Sequence, residues 1–265
     1  MTLKISPSNR ARPLLPSRAL LPYCVTSPAP DSREAGGQDC NVLRVVYPAG
    51  STAPRHKDNV GGLNFYGQPL SIDRSAHRVK TTTTLSYEVR FSDDFDWVKG
   101  GKLPGLYGGR GASGGLREDQ DLEAGFSARL MWRAEGLGEV YLYFPQDQPE
   151  DILGVPPKTI VDPSYGISLG RGAFTFARGR WTSISLRVTT SSVGGAADGK
   201  IRLDVDGQHN IVAFDKLRFP RACTEEGEVG LFFSTFFGGH DASWAPSHDQ
   251  EIHFRRFALF SSCAD

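Results

Sequence analysis

An all-β fold, a single-domain antiparallel sandwich or jelly roll of two sheets, is what this sequence predicts. Roughly ten short segments alternate apolar and polar residues at strand period. Thirty Gly and 17 Pro punctuate them. No βαβ alternation and no long helical period interrupts the pattern, which leaves strands joined by turns. A length of 265 residues suits one large β domain, and no linker divides the middle.

Residues 1–38 are rich in Pro, Ser and Arg without a sustained period, and are read as a tail or extended arm ahead of a domain spanning 39–265. Strands begin at Val42–Tyr47, closed by a Pro-Ala-Gly turn, and resume at Gly62–Tyr66. In Thr82–Phe91, Leu85, Tyr87, Val89 and Phe91 alternate with Ser86, Glu88 and Arg90, a half-buried strand. Gly100–Gly115 reads as loop. The segments Phe126–Trp132 and Val140–Phe144 read as a hairpin around Glu135-Gly-Leu-Gly138. Four prolines between Asp147 and Gly166 mark a surface excursion. Trp181–Val188 and Ile201–Val205 alternate again, and Asp206-Gly207 is a hairpin-turn signal. Val229–Phe237 and Ile252–Phe260 close the chain as aromatic-rich strands.

Thirty basic residues balance thirty acidic ones. A nucleic-acid partner would call for a basic excess, so none is expected, whereas a local basic cleft for a polyanion remains compatible with neutrality. No run of 18 apolar residues exists, so no membrane span is expected. Prolines and Arg18 interrupt the apolar stretch near the N-terminus, so no secretory signal is read there. Cys24, Cys40, Cys223 and Cys263 favour two disulfides over free thiols, with three connectivities open.

One region concentrates chemistry. Phe126, Ala128, Leu130 and Trp132 share one face of their strand, and Ser127, Arg129, Met131 and Arg133 the other. Opposed residues in an antiparallel pair lie on the same face. If Val140, Leu142 and Phe144 enter the core, Tyr141 and Tyr143 must therefore stand beside Ser127 and Arg129. Upstream, Lys102 sits in Lys99-Gly-Gly-Lys-Leu-Pro-Gly105, read as a tight loop stiffened by Pro104. Two phenols, a guanidinium, an ammonium and a hydroxyl make an anion site with proton donors and acceptors. The same residue types on an exposed sheet can also merely cover surface.

Other signals are weaker. Asp204-Val-Asp206-Gly207 fits a hairpin turn better than a calcium loop, because position twelve is Asp215 and no flanking helix is readable. Gly108–Gly115 lacks the ending of a phosphate loop. His240-Asp241 and His248-Asp249 match no zinc or hydrolase motif, although His240 follows Gly-Gly at a strand end and could line a groove. Glu88 and Glu139 read as structural or cleft-rim charges. No metal and no cofactor is expected.

These motifs carry a resemblance. Trp97-Val-Lys-Gly-Gly-Lys-Leu-Pro-Gly-Leu106, Ser127-Ala-Arg129 and Tyr141-Leu-Tyr143 look like the pattern of polysaccharide lyase family 14. So do Phe232-Phe-Ser-Thr-Phe-Phe-Gly-Gly239 and Ser243-Trp-Ala-Pro-Ser247, in particular the pattern of fungal-type members. The resemblance runs from about Asn41 to Phe260. It implies a β-jelly roll with a concave substrate cleft and metal-independent β-elimination on a 4-linked polyuronate such as alginate or glucuronan. By position, it places the family's lysine on Lys102, its Ser-x-Arg on Ser127 and Arg129, and its Tyr-x-Tyr on Tyr141 and Tyr143. Lys99 is the alternative lysine. Lys99, Arg90 and His240 join Ser127 as candidates for binding substrate.

These residue types suit such chemistry. Elimination removes the C5 proton, and a cation on the uronate carboxylate stabilises the developing enediolate, for which Arg129 offers a bidentate fork. A base takes the proton and an acid protonates the departing O4. Tyrosine can do both, and the nearby cations of Lys102 and Arg129 are expected to favour phenolate. Sequence does not separate Tyr141 from Tyr143, with a slight preference for Tyr143. A binding module that lost turnover, or a glycoside hydrolase on a similar sandwich, are the other readings. The function implies an acidic polysaccharide partner, an extracellular location and a monomer.

Overall fold

The computed structural model describes residues 24–28, 41–54, 61–67, 80–109, 123–192, 195–220, 229–239 and 241–263. In chain order its strands are β1 (Cys24–Pro28), β2 (Asn41–Tyr47), β3 (Leu63–Tyr66), β4 (Thr81–Phe91) and β5 (Gly100–Gly109). There follow β6 (Gly125–Arg133), β7 (Leu137–Tyr143), β8 (Ile160–Asp162), β9 (Gly166–Thr175) and β10 (Trp181–Thr189). Last come β11 (Ala197–Val205), β12 (Gln208–Arg218), β13 (Val229–Phe237) and β14 (Gln250–Cys263). Among the described residues there is no α-helix, only short 3₁₀ turns such as Ala134–Gly136 and Glu150–Gly154. No helix among them is long and apolar enough to cross a membrane.

Among the described residues two seven-stranded sheets form, in the orders β1-β2-β14-β4-β10-β11-β12 and β3-β13-β5-β6-β7-β9-β8. Every strand pairing is antiparallel. The expected jelly-roll class of fold is therefore observed. The sheets sandwich one apolar core, because each contributes alternate residues to the shared interior. Phe91 and Phe95 from the first sheet's side meet Trp132, Phe176 and Phe237 at ring separations between 5.2 and 5.7 Å. The buried indole nitrogen of Trp132 donates to the Trp97 carbonyl at 3.2 Å. Each such ring contributes roughly 1.5–3 kcal/mol through removal from water.

The two sheets differ on their outer faces. Strand β4 alternates buried and half-buried residues along its whole length, as a solvated outer face requires. Strand β6 is buried on both faces from Phe126 to Trp132. The outer face of the second sheet is thus recessed, and it carries the polar residues.

Several expectations need correction. Gly100–Gly109 is not loop but strand β5, an interior strand of the second sheet. Pro104, which lacks a donor, is accommodated by register shifts on both sides, between Leu103 and Gly105 against β6 and between Phe232 and Phe236 against β13. Residues 110–115 lie outside the described residues. The excursion at 147–166 contains Glu150–Gly154 and strand β8. Cys263 is an exposed free thiol, so the expected pairing of all four cysteines is not met there, and Cys40 and Cys223 lie outside the described residues. The turn at Asp206-Gly207 is as read: φ is 49° and 77°, both positive, as a two-residue hairpin of this type demands.

Candidate active site

The hairpin register is the one that the alternation dictates. Ser127 opposes Tyr143, Arg129 opposes Tyr141, and Met131 opposes Glu139. On the other flank Lys102 opposes Met131, and Gly105 opposes Arg129. Leu103, Leu130 and Leu142 point into the core with no exposure, which turns Lys102, Arg129, Tyr141 and Tyr143 onto the recessed face. These side chains are not displayed on an open surface. Ser127 is fully buried, Arg129 is 2% exposed, Lys102 5% and Tyr141 7%, while Tyr143 is half-buried.

Gly105 makes room for the arginine. A Cβ there would lie 2.1 Å from the Ala128 carbonyl oxygen and 2.5 Å from the Arg129 Cα, so only glycine lets β5 and β6 approach this closely. The Arg129 guanidinium then lies 4.6 Å from the Phe232 ring and 5.1 Å from the Tyr143 ring, both measured to the centroid. Its Nη1 donates to Ser234 Oγ at 3.2 Å. Phe232 and Ser234, from β13, were not singled out individually by sequence reasoning. Their alternation with core residues Leu231 and Phe233 places them on this face.

Arg129 Nε and Ser127 Oγ are buried with no hydrogen-bond partner. A buried donor left unmade costs about 1–3 kcal/mol, which a hydrogen-bonding group brought to these atoms would recover. Burial lowers the pKa of Arg129, with Tyr143, Tyr66 and Tyr141 opposing, but a guanidinium stays protonated in proteins.

Lys102 Nζ lies 3.2 Å from the Tyr141 ring centroid and 5.2 Å from that of Tyr143, and donates to Met131 Sδ at 3.0 Å. Burial pushes its pKa well below the ordinary lysine value, and the like charges of Arg129 and Arg133 push further, with Glu139 opposing. An arriving carboxylate would supply the missing counter-charge.

The two tyrosines divide by environment. Burial raises the pKa of Tyr141, and Tyr143 adds to the effect. Its hydroxyl donates to the Tyr165 carbonyl at 3.0 Å. The expectation that neighbouring cations favour phenolate is thus overturned for Tyr141, because desolvation outweighs the charge of Arg133. The rings of Tyr141 and Tyr143 meet edge to face at 5.4 Å.

Other candidates lie elsewhere. Lys99 is exposed in the turn before β5, donating to Ser243 Oγ at 2.5 Å with its ammonium 5.8 Å from the Trp244 ring centroid. It is not part of the buried cluster. Arg90 is on the other sheet, where β4 faces away from the cleft. Its Nε donates to the Gly179 carbonyl at 3.0 Å, and Asp93 lies 3.7 Å from its Nη2. Arg90→Ala is accordingly expected to keep kcat/KM within about twofold, the scale of a ~0.5 kcal/mol surface change; steady-state kinetics beside wild type checks this. His240 lies outside the described residues, while Asp241 caps the turn at Ala242–Trp244 by accepting from the Ser243 amide at 2.8 Å. Glu88 pairs with Arg255 at 2.5 Å and Arg256 at 2.7 Å on the first sheet. Glu139 is not a rim charge, being fully buried. Among the described residues no group of three or more His, Cys, Asp or Glu side chains converges to hold a metal.

Comparison with known proteins shows the family and the fold. Residues 36–257 match the family model described as Polysaccharide lyase 14. The marine PL-14 alginate lyase from Aplysia kurodai is 32% identical, with a TM-score of 0.69 over 91% of this chain and 88% of that one. An alginate lyase from Chlorella virus shares the fold at 22% identity, with a TM-score of 0.66 over 89% of this chain and 88% of that one. The endo-β-1,4-glucuronan lyase from the fungus Trichoderma reesei shares it at 9% identity, with a TM-score of 0.50 over 89% and 86% of the two chains. No curated protein matches the chain.

Proposed function

The chain belongs to polysaccharide lyase family 14 and is a polyuronate lyase, and from that premise we propose that it cleaves a 4-linked polyuronate by metal-independent β-elimination. One observation carries the reading: a buried arginine and a buried lysine flank Tyr143, with Arg129 Nε and Ser127 Oγ lacking partners on the same face. That is a preorganised cradle for one carboxylate beside one phenol.

In this proposal Arg129 and Lys102 hold the uronate carboxylate and neutralise the enediolate that develops when C5 loses its proton. Ser127 hydrogen-bonds the same sugar. Tyr143 acts as the base that takes the C5 proton; the C5–H electron pair forms the C4–C5 double bond and the C4–O4 bond breaks. The phenol then returns its proton to O4, which restores the starting state and leaves a 4,5-unsaturated uronate end. Tyr141 stays protonated and, tethered to the Tyr165 carbonyl, orients Tyr143 through their ring contact. The cations of Arg129 and Lys102 supply the charge stabilisation that a metal ion would otherwise provide. A polymeric substrate is met outside the cell, so secretion belongs to the proposal.

The test is ultraviolet absorbance of the conjugated product with glucuronan and with mannuronate and guluronate blocks of alginate. The expected result is a rise with at least one, undiminished by a chelator. Binding without a rise on any of them would favour a non-catalytic carbohydrate module. Loss of activity on chelation would overturn metal independence.

A further inference from the structure

Past Lys102 the recessed face continues into a polar network that the elimination chemistry leaves unused. Glu139 sits at its centre, fully buried. Its Oε1 accepts from Arg133 Nε at 2.9 Å and Arg133 Nη2 at 2.5 Å. Its Oε2 accepts from Ser168 Oγ at 2.6 Å and Arg171 Nε at 2.8 Å. Arg171 Nε also donates to Ser168 Oγ at 3.0 Å. Burial works against the charge of Glu139, but Arg133, Arg171 and Ser168 together hold its pKa below the usual carboxylate range.

The sequence pattern puts Arg133 here directly. It lies on β6 four residues beyond Arg129, about 13 Å along the strand and on the same face. Its guanidinium carbon is 5.7 Å from the centroid of the Tyr141 ring. Arg171 arrives by a different route. The pairing of β7 with β9 shifts register between Gly138 and Val140, and the bulged segment of β9 turns Arg171 back toward Glu139.

Two guanidiniums on one carboxylate leave an excess positive charge. Both cations reach solvent, with side-chain exposures of 14% for Arg133 and 31% for Arg171, while Glu139 has none. Glu139 engages only Nε of Arg171, and among the described residues no hydrogen bond occupies its Nη atoms. Those outer N–H groups form a fork suited to a planar carboxylate. A polyuronate laid along β6 with one carboxylate on Arg129 carries further carboxylates toward this fork.

We propose that Arg133 and Arg171, oriented by Glu139, form a second carboxylate-binding subsite that takes a uronate flanking the one being cleaved. Glu139 is then a positioning residue, and the enzyme selects uninterrupted runs of uronate. This inference rests on the polyuronate-lyase reading.

The experiment compares wild type, Arg171→Ala and Arg171→Lys on a polyuronate that wild type cleaves and on the same polymer with part of its carboxyls reduced to alcohols. On the fully acidic polymer, Arg171→Ala is expected to lower kcat/KM about tenfold, mostly through KM, the loss of one charge-assisted contact. Arg171→Lys should recover part of it. On the reduced polymer the KM gap between wild type and Arg171→Ala should narrow. An unchanged KM on the acidic polymer, or a gap of equal size on both polymers, overturns the subsite. If Arg171→Ala unfolds early, Arg171→Gln removes the charge at a similar length and is read by the same KM criteria. Absence of unsaturated product from wild type on every polyuronate is a separate outcome, which removes the lyase reading and the subsite with it.

Discussion

Tyr143→Phe is expected to lower kcat by about 10²–10⁴-fold, the range associated with losing a positioned proton-transfer group. The substitution deletes one oxygen and keeps the ring, so the edge-to-face contact with Tyr141 and the stacking of Arg129 survive. Tyr143 is only half-buried, and its loss leaves no deep cavity. The melting temperature should therefore stay close to that of wild type while turnover collapses and KM changes little, since the carboxylate is held by other residues. Tyr141→Phe is the informative control. It removes the donor to the Tyr165 carbonyl and loosens the ring that Tyr143 rests on, so a smaller fall in kcat is expected. Near-wild-type turnover in Tyr143→Phe would sink the assignment. A dead Tyr141→Phe beside an active Tyr143→Phe would exchange the two roles.

Why sequence alone left those tyrosines unresolved is a matter of what period-two alternation encodes. Alternation fixes the face of a residue, and the short turn fixes register, so Ser127, Arg129, Tyr141 and Tyr143 were legible as one cluster from the hairpin itself. Burial of that face is another matter. It depends on strands brought alongside from far along the chain, such as β13 with Phe232 and Ser234, and no local pattern announces them. The raised pKa of Tyr141 follows from that burial, so the expectation of a phenolate failed at Tyr141 for the same reason.

Strand β5 shows a second limit. Gly100, Gly101 and Gly105 look like loop residues, yet in the sheet they create the clearance that Trp132 and Arg129 need. A bulged Pro104 hides the alternation of Lys102 and Leu103 further. Arg90 is placed apart from the cluster for a topological reason. Its strand has the right period and its polar face was read correctly, but β4 belongs to the other sheet, and strand order is set by long-range pairing.

Lys102→Met should abolish most activity and at the same time stabilise the protein. The activity loss, about 10²–10³-fold, follows from removing a cation aimed at the developing enediolate. The stability gain follows from the site without substrate. Lys102 is buried beside Arg129 and Arg133, and its pKa in the fold lies well below the ordinary lysine value. The unfolded chain therefore binds a proton that the folded chain sheds, throughout the interval between the depressed value and about 10.4. Stability of the wild type accordingly falls as pH drops through that interval and recovers as pH rises toward its upper end. Methionine has a similar length and is at home against Met131 Sδ and the Tyr141 ring, so it removes this penalty without opening a cavity. Thermal unfolding near neutral pH should show a higher Tm for the variant, by about 2–4 °C for each kcal/mol recovered in a chain of this size. The advantage should shrink steadily as the buffer approaches pH 10. A lower Tm in the variant, or an advantage that grows with pH, would mean that Lys102 is paired and charged in the free enzyme. A stable, inactive variant would instead show that the fold carries a destabilising buried amine whose use is to meet a substrate carboxylate.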